Sequence, residues 1–265
     1  MKMKLSMMTY TMGRQGFGVE DFIKTAVDCK LDGIDWYTTY GRPAEEIRTR
    51  SADAGLPVVC YIFGLPKLFS GEPDWLDDAK KAIECAVTLG SPAVMIPTGS
   101  NDKIPRDEFR RQWIKALIEV APLADDAGIV LSVENFPGMH SAFVTAADFF
   151  EAQKEIPQLR LTFDDGNAAS GEDPVESFKQ CREFVVHAHF KDWYIQSTPA
   201  EGYRQMLDGN YYRPALIGEG NVNTVGCWKA MKESGYNGYI NIEYESNDIK
   251  ADAAVARAAA FLRNI

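Results

Sequence analysis

Ala127-Gly128-Ile129-Val130-Leu131-Ser132-Val133-Glu134-Asn135 reads as the close of a helix, a glycine that stops it, and a short strand that leaves an apolar interior and finishes on an acidic side chain. The same joint recurs at Leu31-Asp32-Gly33-Ile34-Asp35-Trp36, Ala54-Gly55-Leu56-Pro57-Val58-Val59, Leu89-Gly90-Ser91-Pro92-Ala93-Val94 and Ser234-Gly235-Tyr236-Asn237-Gly238-Tyr239-Ile240. Outward from these joints, β-branched and apolar runs predict strands near 4–10, 33–37, 57–63, 93–97, 129–135, 159–164, 184–190 and 239–244. Amphipathic spacing predicts helices near 19–31, 43–54, 74–89, 106–127, 145–155, 173–182, 223–234 and 248–263. Short connections between alternating strands and helices call for a parallel sheet with crossover helices. At 265 residues, eight of each favour a closed (β/α)8 barrel of the TIM type, a single α/β domain over 1–265. No Gly-x-Gly-x-x-Gly follows the first strand, so an open dinucleotide-binding sheet lacks its fingerprint.

Composition narrows the partners. A hydrophobic content of 46% with 25% charged residues suits a globular chain with a large core. The formal net charge of -10 repels phosphate backbones and anionic membranes, so neither nucleic acid nor a membrane is an expected partner. The five cysteines (Cys29, Cys60, Cys85, Cys181, Cys227) form no Cys-x-x-Cys pair, which speaks for buried reduced thiols rather than a disulfide framework or thiolate metal site. Met1-Lys2-Met3-Lys4-Leu5-Ser6 lacks the apolar stretch of a signal peptide, and a cytoplasmic location is the expectation.

One connection is out of proportion. About thirty residues, 193–222, separate the seventh strand from the next helix, where two to six are usual. Its rings and basic groups (Trp193, Tyr194, Tyr203, Arg204, Tyr211, Tyr212, Arg213) point to a long loop acting as a lid or as a contact in a homo-oligomer.

In such a barrel, chemistry gathers where strands end and the following loops begin. Strands five to eight finish on Glu134, Asp164, His189 and Glu243, so four adjacent strands deliver potential ligands to one mouth. A lone strand-end carboxylate is ordinarily a helix N-cap, and a lone histidine on an apolar strand a satisfied core group. At equivalent ends of consecutive strands the joint reading is a metal site. Three carboxylates in one place repel unless a cation neutralises them, and an O,O,O,N set suits Mn²⁺, taken here as the first choice, or Mg²⁺, Co²⁺ or Zn²⁺. Four protein ligands on a six-coordinate ion leave two positions for neighbouring oxygens of a sugar. His187 points to the same side of its strand as His189 but lies deeper, which suits a supporting role.

Several motifs together resemble the xylose-isomerase-like TIM barrels of the sugar phosphate isomerase/epimerase superfamily: Gly33-Ile34-Asp35, Val133-Glu134-Asn135, Phe163-Asp164-Asp165-Gly166, His187-Ala188-His189-Phe190-Lys191-Asp192, Gly218-Glu219-Gly220-Asn221-Val222-Asn223 and Ile242-Glu243-Tyr244-Glu245. The resemblance spans essentially the whole chain. It implies that Glu134, Asp164, His189 and Glu243 hold the metal and that Glu134 and Glu243 double as an acid/base pair on opposite faces of the substrate. The implied chemistry is proton transfer next to a carbonyl through a metal-stabilised cis-enediolate, without an organic cofactor.

Two positions depart from the superfamily. Where many relatives carry Asp-x-Gly-His after strand six, this chain reads Asp164-Asp165-Gly166-Asn167, an amide that cannot shuttle protons. Six residues after Glu134, where the tagatose-type epimerases commonly have glutamate, stands His140, whose usual pKa suits base catalysis near neutrality. Asn167, Lys191 and Arg213 are candidates for holding substrate oxygens. The leading expectation is an isomerase or epimerase of a small carbohydrate or keto acid. A lyase or dehydratase of keto-sugars, including 3-oxo-glycosides, with His140 as base is the alternative, and a barrel that only binds is the non-catalytic one.

Overall fold

The computed structural model of the chain describes residues 3–70 and 72–265; Met1 and Lys2 of the N-terminal stretch read above, and Gly71, lie outside them. The first half runs β1 (Lys4–Met7), α1 (Thr9–Gly13), α2 (Val19–Asp28), β2 (Ile34–Tyr37), α3 (Ala44–Asp53), β3 (Val58–Ile62), α4 (Pro66–Ser70), α5 (Trp75–Leu89), β4 (Ala93–Ile96) and α6 (Arg106–Asp126). The second runs β5 (Val130–Glu134), α7 (Ala146–Glu155), β6 (Arg160–Asp164), α8 (Asp165–Ala169), α9 (Pro174–Cys181), β7 (Val185–Phe190), β8 (Asp192–Gln196), β9 (Arg204–Gln205), β10 (Tyr211–Ala215), α10 (Thr224–Glu233), β11 (Tyr239–Ile242) and α11 (Ala251–Leu262).

Eight parallel strands form one sheet in the order β1-β11-β7-β6-β5-β4-β3-β2. The ends of that order meet: a parallel bridge joins Met8 to Asp35, and the Asp32 N–H donates to the Leu5 carbonyl at 2.7 Å. The result is a nearly closed TIM barrel with helices outside, as the alternation requires. Outward-facing strand residues such as Trp36, Val94, Val133, Phe163 and Phe190 are buried against those helices, each large side chain contributing roughly 1.5–3 kcal/mol by leaving water.

The joint glycines divide by cause. Gly55, Gly90, Gly128 and Gly235 have φ of +70°, +75°, +68° and +78°, the left-handed turn that ends a helix. Gly33 does not: Lys30 takes the left-handed position after α2, and a Cβ at Gly33 would stand 2.4 Å from Val59 Cγ2. It is glycine because two strands crowd it. The short helices α1, α4 and α8 escape the sequence pattern because a five-residue element shows too little of a 3.6-residue period.

The 193–222 segment is not an open loop. It folds into a three-stranded antiparallel sheet, β8-β10-β9, over a small core of Trp193, Met206 and Tyr212. The Asp192 carboxylate staples its two ends together, accepting the N–H groups of Trp193, Gly218, Gly220 and Val222 at 2.8–3.0 Å. A Cβ on Gly220 would fall 2.2 Å from Asp192 Oδ1, so this turn depends on glycine. No helix among the described residues is long and apolar enough to cross a membrane.

Candidate metal centre and active site

Each strand that carries a candidate ligand also carries a buried polar residue two positions earlier: Ser132 before Glu134, Thr162 before Asp164, His187 before His189, Asn241 before Glu243. The two-residue period of a strand places both members of each pair on the interior face, in successive layers. In the lower layer, Ser132 and Thr162 hydroxyls meet at 2.8 Å, and the Asp35 carboxylate receives His187 Nε2 at 2.8 Å together with the amide of Asn241. His187 lies in the layer below His189, bonded to Asp35, and Asp35, His187 and His189 themselves form a second group of possible metal ligands.

The upper layer brings all four expected ligands together. One ligand atom from each of Glu134, Asp164, His189 and Glu243 lies within 4.8 Å of those of the other three. Register accounts for part of this, since Asp164 lies opposite His189 across the β6–β7 pair. Asn135 locks the neighbouring strand end, exchanging two hydrogen bonds of 2.8 Å with the backbone N–H and C=O of Asp164. Asp164 also caps α8, accepting the Asn167 N–H on Oδ1 at 2.6 Å. His189 Nδ1 stands 2.7 Å from Glu134 Oε1 and 3.4 Å from Glu243 Oε2.

Lys191 belongs to this cluster as well. Its ammonium, on a side chain 4% exposed, lies 3.1 Å from Glu243 Oε1 and 3.6 Å from both Asp164 Oδ2 and Glu245 Oε1. Gly166 makes room for it: a Cβ there would meet Lys191 Cγ at 2.5 Å. The spacing His187, His189, Lys191 placed all three on one face, so the signal was present in the alternation. Sequence reading gave Lys191 a role toward substrate oxygens rather than toward these carboxylates, and it assigned no role to Glu245, which follows Glu243 by the same interval.

The electrostatics follow from burying these groups together. Burial resists charge on Glu243, but Lys191 and His189 outweigh it and hold the carboxyl down at about 2. Burial favours neutral His189, yet Glu134 and Glu243 raise it to about 10. Burial drives Asp164 well above the ordinary carboxylate range, with Lys191 opposing. The same burial lifts Asp165 to about 8, although the Lys191 N–H donates to it at 3.1 Å.

Asp164 Oδ2, His189 Nε2 and Glu243 Oε2 are buried without a hydrogen-bond partner. Buried carboxylate oxygens left unpaired, as Asp164 Oδ2 and Glu243 Oε2 are, are costly unless a cation meets them. With three carboxylate oxygens and an imidazole as donors, the residues fit a divalent ion of the hard to intermediate kind.

A cavity of ≈ 260 Å³ reaches the cluster at Glu134 and Glu243. Its lining combines Glu134, Glu243 and Glu245 with apolar Met8, Ile62 and Met95 and the rings of Tyr10, Tyr37 and Phe136. A sugar presents hydroxyls on its edges and C–H groups on its faces, and a mostly apolar chamber with three carboxylates suits both.

The remaining candidates lie apart from the cluster or in its walls. Asn167 is fully buried with both side-chain amide atoms unpaired. His140 is half-buried in the loop after β5; its carbonyl accepts the Asn101 N–H at 3.1 Å, and it is not among the residues that line the cavity. Arg213 is on the surface, paired with Asp248 at 3.0 Å and resting on the Tyr194 ring.

The chain belongs to the xylose isomerase-like TIM barrel family, whose profile matches residues 21–265. Among curated proteins it is 29% identical over 173 residues to an uncharacterised protein of Methanocaldococcus jannaschii, covering 62% of this chain and 54% of that protein. It is 32% identical over 153 residues to the inosose dehydratase of Lacticaseibacillus casei, covering 55% and 50%. The chain thus spans about half the length of the curated relatives it matches. Three solved structures share the fold: a probable 3-DHS dehydratase of Bacillus anthracis (TM-score 0.79, 18% identity, 98% of each chain), a 3-keto-D-glucoside 4-epimerase of E. coli (0.78, 16%, 100% of each) and the IOLI protein with a bound zinc atom (0.80, 16%, 98% and 96%).

Proposed function

We propose that this protein is a divalent-metal-dependent enzyme that moves a proton at a carbon next to a carbonyl in a small keto-sugar, as an isomerase or epimerase. The observation that carries the reading is the convergence of Glu134 and Glu243, on β5 and just beyond β11, on one cavity, each within reach of His189. A divalent ion held by Glu134, Asp164, His189 and Glu243 would neutralise their charge and polarise a substrate carbonyl oxygen. Glu243, kept ionised by Lys191 and His189, accepts the proton from the α-carbon, and Glu134 returns it from the other side. Lys191 holds Glu243 in place, and the apolar wall of Met8, Ile62 and Met95 keeps water from the carbanion.

Elimination is the second reading, favoured by the sequence relation to an inosose dehydratase. The same proton abstraction could expel a β-hydroxyl, to which the Lys191 ammonium could supply a proton; His140, the base expected from sequence for this reaction, would have to reach in from its loop. Incubation of metal-loaded protein with ketoses and with inosose in D2O separates the readings. Deuterium in recovered ketose or its epimer supports the first, and release of dehydrated product without exchange into ketose supports the second. Wild-type activity retained undiminished in both E134Q and E243Q would remove the site assignment.

A further inference from the structure

The cavity over the cluster does not end at its own walls. Tyr37, Pro97 and Gly99 line both it and a second cavity of ≈ 540 Å³ beside it at the barrel mouth. Three glutamates wall the first; Phe63, Leu65, Phe69, Phe109 and Trp113 wall the second, which has no Asp, Glu, Lys, Arg or His among its lining residues. Phe69 is 39% exposed, its ring 5.0 Å from that of Phe109 and 5.1 Å from that of Trp113. An aromatic side chain left so open above buried rings offers a surface that an apolar ligand would cover.

The backbone at the junction carries a second sign. Thr38, which also lines this cavity, has φ of +59°, a left-handed conformation that a β-branched residue rarely adopts. Strain of this kind persists where the surrounding structure holds a loop for use. The Asn101 N–H of the same lining donates to the His140 carbonyl at 3.1 Å, which places the His140 loop beside this compartment.

We infer that the second cavity holds an apolar, ring-bearing substituent, so that the substrate is a glycoside or similarly substituted keto-sugar rather than a free monosaccharide. The sugar lies against the glutamates and its substituent passes Tyr37 and Pro97 into the aromatic compartment. This inference rests on the reading of the first cavity as a sugar site.

The test is titration calorimetry with phenyl β-D-glucoside and methyl β-D-glucoside as probes, on metal-loaded and chelator-treated full-length protein, for wild type and F69A. Burying one phenyl ring predicts at least about a tenfold tighter affinity for the phenyl glucoside. F69A, at a half-exposed position, is expected to erase that preference and leave the methyl glucoside affinity within about twofold. Equal affinities in wild type, no binding of either probe, or a preference that survives F69A would overturn the inference. So would concentration-dependent dimerisation that F69A abolishes, because the aromatic surface would then belong to a second copy of the chain. A phenyl preference that persists with methyl glucoside binding indifferent to the chelator supports the compartment while removing the metal-site reading; metal-dependent sugar binding without the preference does the reverse.

Discussion

Replacing Lys191 with methionine isolates the charge balance of the cluster. At 3.1 Å from Glu243, which stays ionised, an ammonium gains about 5 kcal/mol in an effective dielectric of ~20, while Asp164, at 3.6 Å, is pushed toward its neutral form by burial and adds less. Its own burial offsets much of this, and removing one partner from a buried ion pair costs about 3–5 kcal/mol net. At roughly 2–4 °C per kcal/mol for a domain of this size, metal-free K191M should melt roughly 6–20 °C below wild type. A divalent ion supplies the missing positive charge, so the deficit should shrink to less than half in the loaded protein. Differential scanning calorimetry of both proteins, with chelator and with Mn²⁺, measures the difference. An equal deficit in the two conditions, or none without metal, would refute the reasoning.

Three further outcomes are expected. E134Q and E243Q should keep the fold by circular dichroism and lose about 10²–10⁴-fold in the rate of α-proton exchange, read by NMR in D2O. D192A removes the acceptor of four backbone N–H groups and should cost about 1–3 kcal/mol or more, with proteolysis beginning in the 193–222 segment. His189 sits at about 10 in the metal-free protein and must be neutral to bind a cation, so loading near neutral pH should release a proton. Affinity should therefore rise with pH, by up to about tenfold per unit, until His189 is itself neutral; calorimetry in buffers of different ionisation enthalpy reads the proton directly.

The barrel was legible because its evidence is periodic: a glycine at +70° after α3, the same at +68° after α6, and an apolar strand after each. The four candidate metal-binding side chains were legible because each stands at or next to the end of a strand. Lys191 was harder to read, since a lysine at a strand end ordinarily reaches water; only the three-dimensional convergence of Asp164, Glu243 and Glu245 shows why it stays inside. The 193–222 sheet depends on Asp192 gathering N–H groups from residues up to thirty positions away, which no local pattern records. His140 and Arg213 were chosen by residue type and neighbourhood in sequence. The structure places the first beside the aromatic compartment and engages the second with Asp248, because loop and edge-strand directions are set by contacts outside their own segments.

The most direct test is the divalent-ion content of the purified chain after dialysis, measured by plasma mass spectrometry for wild type, D164N and His189→Gln. The cluster predicts about one ion per wild-type chain and almost none in either variant, with all three folded. A wild type that holds no ion when offered Mn²⁺ or Zn²⁺, or variants that retain it undiminished, would contradict the account.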